Sequence, residues 1–170
     1  MARRAMLERQ TGETSVKVVI DLDTAAPPQN ATGIAFFDHM LDQLGTHGGF
    51  TLAVTARGDL DVDDHHTVED CGIVLGTAFT EALGSKAGLA RFGDRTIPLD
   101  EALMAVSLDL SGRPFLVYEL DLPTERIGTF DLFGSISGFV ESGPERDRWL
   151  VKRADSLEAA ARHEEADALY

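Results

Sequence analysis

The sequence predicts an α+β protein: a two-layer sandwich of duplicated ββαβα-like halves, with helices on one face of a mainly antiparallel sheet. Three observations predict it. Short segments of apolar–polar alternation recur along the chain, two segments of helical periodicity lie among them, and the hairpin pattern begins again after the second helix. The halves divide as 1–90 and 91–170, with the second departing from the pattern of the first after about residue 131. Identity between the halves is too low to count as a sequence repeat.

Taken in order, Ser15 to Asp23 alternates, with Val16, Val18, Ile20 and Leu22 on one face, and reads as a strand. Ala25 to Asn30 holds two prolines and reads as a loop. Phe36 to His47 spaces Phe36, Phe37, Met40, Leu41 and Leu44 as an amphipathic helix, ended by Gly48–Gly49. Phe50 to Arg57 alternates with Phe50, Leu52, Val54 and Ala56 inward. An acidic loop follows from Gly58, then a helix from about His65 to Leu83, stopped by Gly84. Its buried stripe is Val68, Cys71, Leu75, Ala78, Phe79 and Ala82. Arg91–Phe92–Gly93 reads as loop, and Asp100–Glu101 as a helix start or loop pair. Met104–Leu110 and Phe115–Leu122 form hairpin arms around a turn at Ser111–Pro114. Ser156 to Leu169 is alanine-rich and reads as a helix capped by Asp155 or Ser156, with a thin apolar stripe.

Composition narrows the function. At 44% hydrophobic and 26% charged residues, the chain has the balance of a soluble globular protein. Fifteen basic against 29 acidic residues leave a net charge of -14, which repels phosphate backbones and anionic lipid. Neither nucleic acid nor membrane is therefore an expected partner. Cys71 is the only cysteine, which excludes an intramolecular disulfide and suits a reducing cytosol. Arg3, Arg4 and Arg9 precede no apolar block, so no signal peptide is visible. No run approaches the ~18 apolar residues of a membrane span. The expected location is cytoplasmic.

Four of the five histidines, His39, His47, His65 and His66, fall within 28 residues, among Asp38, Asp42, Asp59, Asp61, Asp63, Asp64, Glu69 and Asp70. Imidazole with carboxylate is the ligand mixture of zinc, manganese or iron sites. A solvated acidic loop with packing histidines is the plainer reading of any one of them; together they favour a metal. On a helix, His65 and Glu69 lie four apart on one face, whereas His66 points about 100° away, so the adjacent imidazoles serve different flanks. His39 and Gln43 are likewise four apart on the earlier helix. Glu13 taken alone is a surface carboxylate. Arg91 and Arg113 sit in glycine-containing turns, where a guanidinium can approach a phosphate. Cys71, on the apolar stripe, reads as a structural thiol.

Four segments occur in order: Arg9-Gln-Thr-Gly-Glu-Thr14; Thr32-Gly-Ile-Ala-Phe-Phe-Asp-His-Met-Leu-Asp-Gln-Leu44 with His47–Gly48; Asp63-Asp-His-His-Thr-Val-Glu-Asp70 with Leu75–Gly76; and Leu108-Asp-Leu-Ser-Gly-Arg-Pro114. Over about residues 3 to 131 the chain closely resembles the imidazoleglycerol-phosphate dehydratases of histidine biosynthesis. The resemblance implies a duplicated α+β fold, a large octahedral homo-oligomer and paired manganese ions between subunits. It also implies a small phosphorylated imidazole substrate, imidazole glycerol phosphate, which loses water to give imidazole acetol phosphate. His39, His65, His66 and Glu69 stand at the family's first-half metal-ligand positions, and Glu13, Gln43, His47, Arg91 and Arg113 at its substrate-contacting ones. Among these, Glu13, His39, His65 and Glu69 form the candidate catalytic set. His65, His66 and Glu69 also border the substrate. Arg91 and Arg113 suit the phosphate, and Glu13 suits acid–base work on the glycerol carbons. The implied chemistry has an imidazolate between two metals expelling the hydroxyl through a diazafulvene-like intermediate.

The family's second His-His-x-x-Glu helix, the strand histidine before it and the lysine after it have no counterpart after Leu132, where His163 is the only histidine. First-half ligands alone leave His66 by itself on one ion and His39, His65 and Glu69 on the other. The expectation is one well-occupied metal site at most and impaired dehydration. A changed reading frame after roughly codon 131, or divergence, accounts for such a tail. The alternative reading is a catalytically silent subunit of the same fold that assembles or binds metal. A generic binuclear metal hydrolase explains the histidines but neither Ser111–Pro114 nor Thr32–Gly33.

Overall fold

In the computed structural model the described residues are 2–100, 102–112, 115–119, 126–127, 130–131 and 148–154. The alanine-rich segment 156–169, its caps, His163, Arg113, Glu101 and the end of the expected 115–122 strand lie outside them. Two compact units form, one from Met1–Ala87 with Thr124–Pro144, the other from Gly88–Pro123 with Glu145–Tyr170.

The first unit is built on a four-stranded sheet of β1 (Arg4–Gln10), β2 (Thr14–Asp21), β3 (Gln29–Ala31) and β4 (Thr51–Gly58), in the order β1-β2-β4-β3. The β1–β2 and β2–β4 pairs are antiparallel and β3–β4 is parallel. Alternation decides which face is buried: Val16, Val18 and Ile20 of β2 and Leu52, Val54 and Ala56 of β4 all point inward. The outward rows carry Lys17, Glu8, Thr55 and Arg57, with Lys17 bridging Glu8 at 2.7 Å. Helices α1 (Ala35–Gly48) and α2 (His65–Leu83) complete the unit. Helix α2 packs on β1, β2 and β4, and α1 on β3 and β4. Val68, Cys71, Leu75, Ala78 and Ala82 are buried, as the stripe predicts, and Phe79 meets the edge of Phe50 at 5.4 Å between ring centres.

Several expectations need correction. Of the α1 stripe, Phe37 and Leu41 are buried, whereas Met40 and Leu44 are each 39% exposed. The helix turns its Phe37–Leu41–Gly45 side to the sheet, which rolls the other two outward. Phe36 and Phe37 flank Phe130, at 5.3 and 6.4 Å. The first ten residues contribute a whole strand, β1, and the proline loop ends in β3.

The second unit holds β5 (Phe92–Leu99), β6 (Ala102–Asp109), β7 (Phe115–Glu119) and β10 (Arg148–Ala154), in the order β5-β6-β10-β7. Arg91–Gly93 is thus not all loop, because β5 starts at Phe92 and pairs with β6. Asp100 stands at the tip of this hairpin, with φ of 49°. The β5–β6 and β6–β10 pairs are antiparallel and β7–β10 is parallel. This repeats the order and the strand senses of the first sheet, so the duplication too faint to read in residue identity stands in the pairing. β8 (Arg126–Ile127) and β9 (Phe130–Asp131) pair with each other. Among the described residues no helix is long and apolar enough to cross a membrane.

The packing predicts two measurements. Leu52→Ala removes a fully buried side chain and should lower the free energy of unfolding by about 2–5 kcal/mol in a urea titration. Cys71 is buried and its thiol is pushed up to about 12 by that burial, with the Asp70 charge adding. It should resist an aromatic disulfide reagent at pH 8 in the native protein and react fully in denaturant.

Candidate functional site

The end of β4 and the start of α2 place most of the chemistry. After Gly58 the chain turns through Asp59 and Val62, whose N–H donates to the Asp59 carbonyl at 2.8 Å. It then enters the helix under Asp63, whose carboxylate accepts the His65 N–H at 2.9 Å. That bond satisfies a first-turn donor and puts negative charge at the positive end of the helix. Asp64 is pushed up by burial first and by the Asp63 charge second, with Arg126 opposing.

The two adjacent imidazoles face different carboxylates. His65 Nε2 lies 3.6 Å from Glu69 Oε2, one turn along α2. His66 Nδ1 lies 3.0 Å from Asp59 Oδ2 and 3.3 Å from its other oxygen. The ring centres are 6.0 Å apart and the planes inclined by 67°. His66 is held above its ordinary value, mainly by the hydrogen bond to Asp59 and against a smaller burial effect; the charges of Glu13, Asp59 and Asp63 add.

Helix α1 carries the second group. His39, Gln43 and His47 follow one another at four-residue intervals along one ridge. His39 and His47 are exposed, and His47 Nε2 meets Gln43 Oε1 at 2.8 Å. The neighbouring ridge fixes the helix. Asp38 accepts the Thr32 N–H at 2.8 Å and the Thr32 hydroxyl at 2.6 Å, and Asp42 accepts the Asn30 amide at 2.7 Å. Gly33, between Thr32 and the helix, has φ of 85°, and a Cβ there would meet Leu60 Cδ1 at 2.9 Å. Thr32–Gly33 is therefore the entry bend of α1, a role its sequence position alone does not disclose.

The turn carrying Glu13 is tied down by Asp70, the residue after Glu69. Its carboxylate accepts from the Arg9 guanidinium and the Thr14 hydroxyl, and stands 3.5 Å from the Thr11 hydroxyl. Sequence reading did not assign Asp59 or Asp70 a partner, because both act across tertiary contacts. The i,i+4 rule that finds His65–Glu69 has no purchase on them.

In the second unit, Arg91 donates through Nε and Nη2 to the two Asp109 oxygens at 2.6 and 3.1 Å, and lies over the Phe92 ring at 4.9 Å. A guanidinium has five N–H donors, so this bidentate grip leaves three for an anion. Asp109 also holds Arg91 above its ordinary value. Arg113 lies outside the described residues.

The donor set suits a divalent ion in part. Glu69 and His65 offer an oxygen and a nitrogen on one helix face, at a separation one ion can span with bonds of ~2.0–2.2 Å. Asp59 holds His66 by Nδ1 and leaves Nε2 for ligation, the carboxylate–histidine arrangement of metal-bound imidazoles. Among the described residues of one chain no three His, Cys, Asp or Glu groups converge.

The His66–Asp59 pair has a defined pH signature. A raised native value stabilises the fold below the unfolded value of about 6.5, and that stability is lost as pH rises through the native one. The melting temperature of the metal-free protein should fall across this window, and Asp59→Asn should flatten the fall. The same substitution should bring the His66 NMR titration down toward the ordinary value.

The family model for imidazoleglycerol-phosphate dehydratase matches residues 32–165. That span includes the stretch after 131, where no second His-His-x-x-Glu occurs. The Ruegeria pomeroyi imidazoleglycerol-phosphate dehydratase is 54% identical over 129 residues, covering 76% of this chain and 66% of the relative. That of Citrifermentans bemidjiense is 54% identical over 132 residues, covering 78% and 68%. The chain thus spans about two thirds of the length of these curated relatives. Among solved structures, the Staphylococcus aureus dehydratase superposes with a TM-score of 0.75 at 32% identity, covering 88% of this chain and 83% of that one. The Pyrococcus furiosus structure gives 0.73 at 30%, covering 86% and 78%. With its sequence matched by the family model and by these relatives, and its fold by the solved structures, the chain belongs to the imidazoleglycerol-phosphate dehydratase family.

Proposed function

We propose that this chain dehydrates imidazole glycerol phosphate to imidazole acetol phosphate in histidine biosynthesis, as a manganese-dependent cytoplasmic homo-oligomer. The observation that carries the reading is the divergence of His65 and His66 toward separate carboxylates, Glu69 and Asp59, in a chain of this family. Acidic surface charge and a single buried thiol support the cytoplasmic setting. The proposed metal ligands are His39, His65, His66 and Glu69; because every copy lacks the second His-His-x-x-Glu, one well-occupied site per subunit at most is expected, with dehydration correspondingly impaired. Bound manganese would supply Lewis acidity toward the substrate imidazole.

The substrate must lose a proton from one glycerol carbon and hydroxide from its neighbour, and the resulting enol must become a ketone. Glu13 is assigned both carbon proton movements: it accepts the carbon-bound proton and returns it to the neighbouring carbon as the ketone forms, while the enol hydroxyl proton joins the expelled hydroxide as the water that leaves. Gln43 and His47, already joined on α1, are assigned to orient the substrate. The phosphate is assigned to Arg91 and Arg113. Arg91 would meet it with the donors Asp109 does not use, and Asp109 limits the rotamers that binding must freeze.

Two experiments test this reading. The manganese-loaded full chain should convert imidazole glycerol phosphate, and Glu13→Gln should lower kcat by about 10²–10⁴-fold at unchanged metal content. Assembled, metal-loaded protein that leaves the substrate untouched would favour the silent-subunit alternative, for which the missing second His-His-x-x-Glu is the motivating observation. Arg91→Gln should raise KM by about tenfold or more, the cost of a charge-assisted phosphate contact, with kcat little changed.

A further inference from the structure

Asp70 is 8% exposed, a carboxylate within the fold, and it follows directly after a proposed metal ligand. A buried carboxylate is tolerated only when its oxygens are fully engaged. The groups that engage it here come from one place. Arg9 is the penultimate residue of β1, Thr11 opens the turn and Thr14 begins β2; the Arg9 guanidinium and the Thr14 hydroxyl donate to Asp70, and the Thr11 hydroxyl stands 3.5 Å from it. They bracket Glu13.

The turn is ordered by the same residues. The Thr11 hydroxyl accepts the Glu13 N–H at 3.2 Å and the Thr14 N–H at 2.9 Å, while the Thr11 N–H donates to the Thr14 carbonyl at 2.8 Å. The Thr11 and Thr14 hydroxyls also stand 3.2 Å apart. A chain of bonds therefore runs from the Glu13 backbone through Thr11 and Thr14 to Asp70. Glu69, the preceding residue, faces the other way to pair with His65. One turn of helix holds a proposed ligand on one side and the anchor of the acid–base loop on the other.

We propose that Asp70 is a positioning residue for Glu13: by gripping Arg9 and Thr14, with the Thr11 hydroxyl beside them, it fixes the turn from which the Glu13 side chain projects. The proposal rests on the dehydratase reading for its catalytic consequence, and on the hydrogen bonds alone for its structural one. A proton-transferring group displaced by about 1 Å loses on the order of 10² in rate. Mis-setting Glu13 should therefore act on kcat, with little effect on substrate affinity or metal content.

The test uses the full chain. With manganese bound, Asp70→Asn should lower kcat about 10²-fold with KM within roughly threefold and metal content unchanged. In a Glu13→Gln background the same change should cost less than about threefold, because the residue it positions has already lost its function. Equal losses in the two backgrounds would overturn the proposal, since a general weakening of the fold adds to any other defect. Thr14→Val should reproduce the kcat loss and Thr14→Ser, which keeps the hydroxyl, should restore it; this pair carries the test if Asp70→Asn does not fold. A second arm needs no turnover. Hydrogen exchange at the Glu13 and Thr14 amides should quicken at least about tenfold in Asp70→Asn, while Val74 and Leu75 in mid-helix stay protected. Unchanged exchange at the turn overturns the proposal even if the enzyme is active. Wild-type protein without turnover overturns the dehydratase reading instead, and leaves the exchange result to decide whether Asp70 holds the loop.

Discussion

Thr14 pairs with Gly58, and the arrangement of the site depends on that register. It brings the start of β2 beside the end of β4, so the turn before one and the helix after the other arise at the same end of the sheet. The approach is close. A Cβ at Gly58 would lie 2.0 Å from the Thr67 hydroxyl and 3.4 Å from Thr14 Cγ2, so only glycine lets the first turn of α2 settle there. A slip of one residue would exchange the buried row Val16, Val18 and Ile20 for the outward row Ser15, Lys17 and Val19. The apolar core thus enforces the register, and the register brings the turn that carries Glu13 to the end of the sheet where α2 begins. Stability and chemistry share one constraint.

Legibility in the sequence followed the range of the interactions. Both helices could be read because their faces are written at three- and four-residue spacing, and His65–Glu69 obeys the same rule. β2 and β4 could be read because burial on one face imposes strict alternation. β1 escaped notice because its half-buried row includes Arg9, a charge that makes sense only once Asp70 is placed against it. β3 was hidden by Pro27 and Pro28 directly before it, and it is fastened by a side chain: Asn30 Oδ1 accepts the Val54 N–H at 3.0 Å. β5 is an exposed edge with Gly93 and Pro98 in it, residues that edge strands tolerate and strand-seeking rules reject. The partners of His66 and Arg91, Asp59 and Asp109, lie 7 and 18 residues away and come together only in the folded chain.

Topology preserves what residue identity lost. In the first sheet α1 lies between the third and fourth strands in chain order and α2 follows the fourth. In the second sheet the chain between the third and fourth strands is residues 120–147 and the chain after the fourth is 155–170, and together these stretches contain one histidine, His163. Backbone pairing is satisfied by many sequences, whereas a ligand set is satisfied by few. A duplicated framework can therefore persist where a duplicated site does not.

The tethering of α1 also bears on engineering. With Asp38 and Asp42 bound to Thr32 and Asn30, the helix is denied axial roll, and its outward side chains inherit their bearing from the flank that grips β3. Any redesign of what α1 presents would accordingly begin at those two tethers. Shortening or lengthening them would swing His39, Gln43 and His47 as a rigid set, with every imidazole retained.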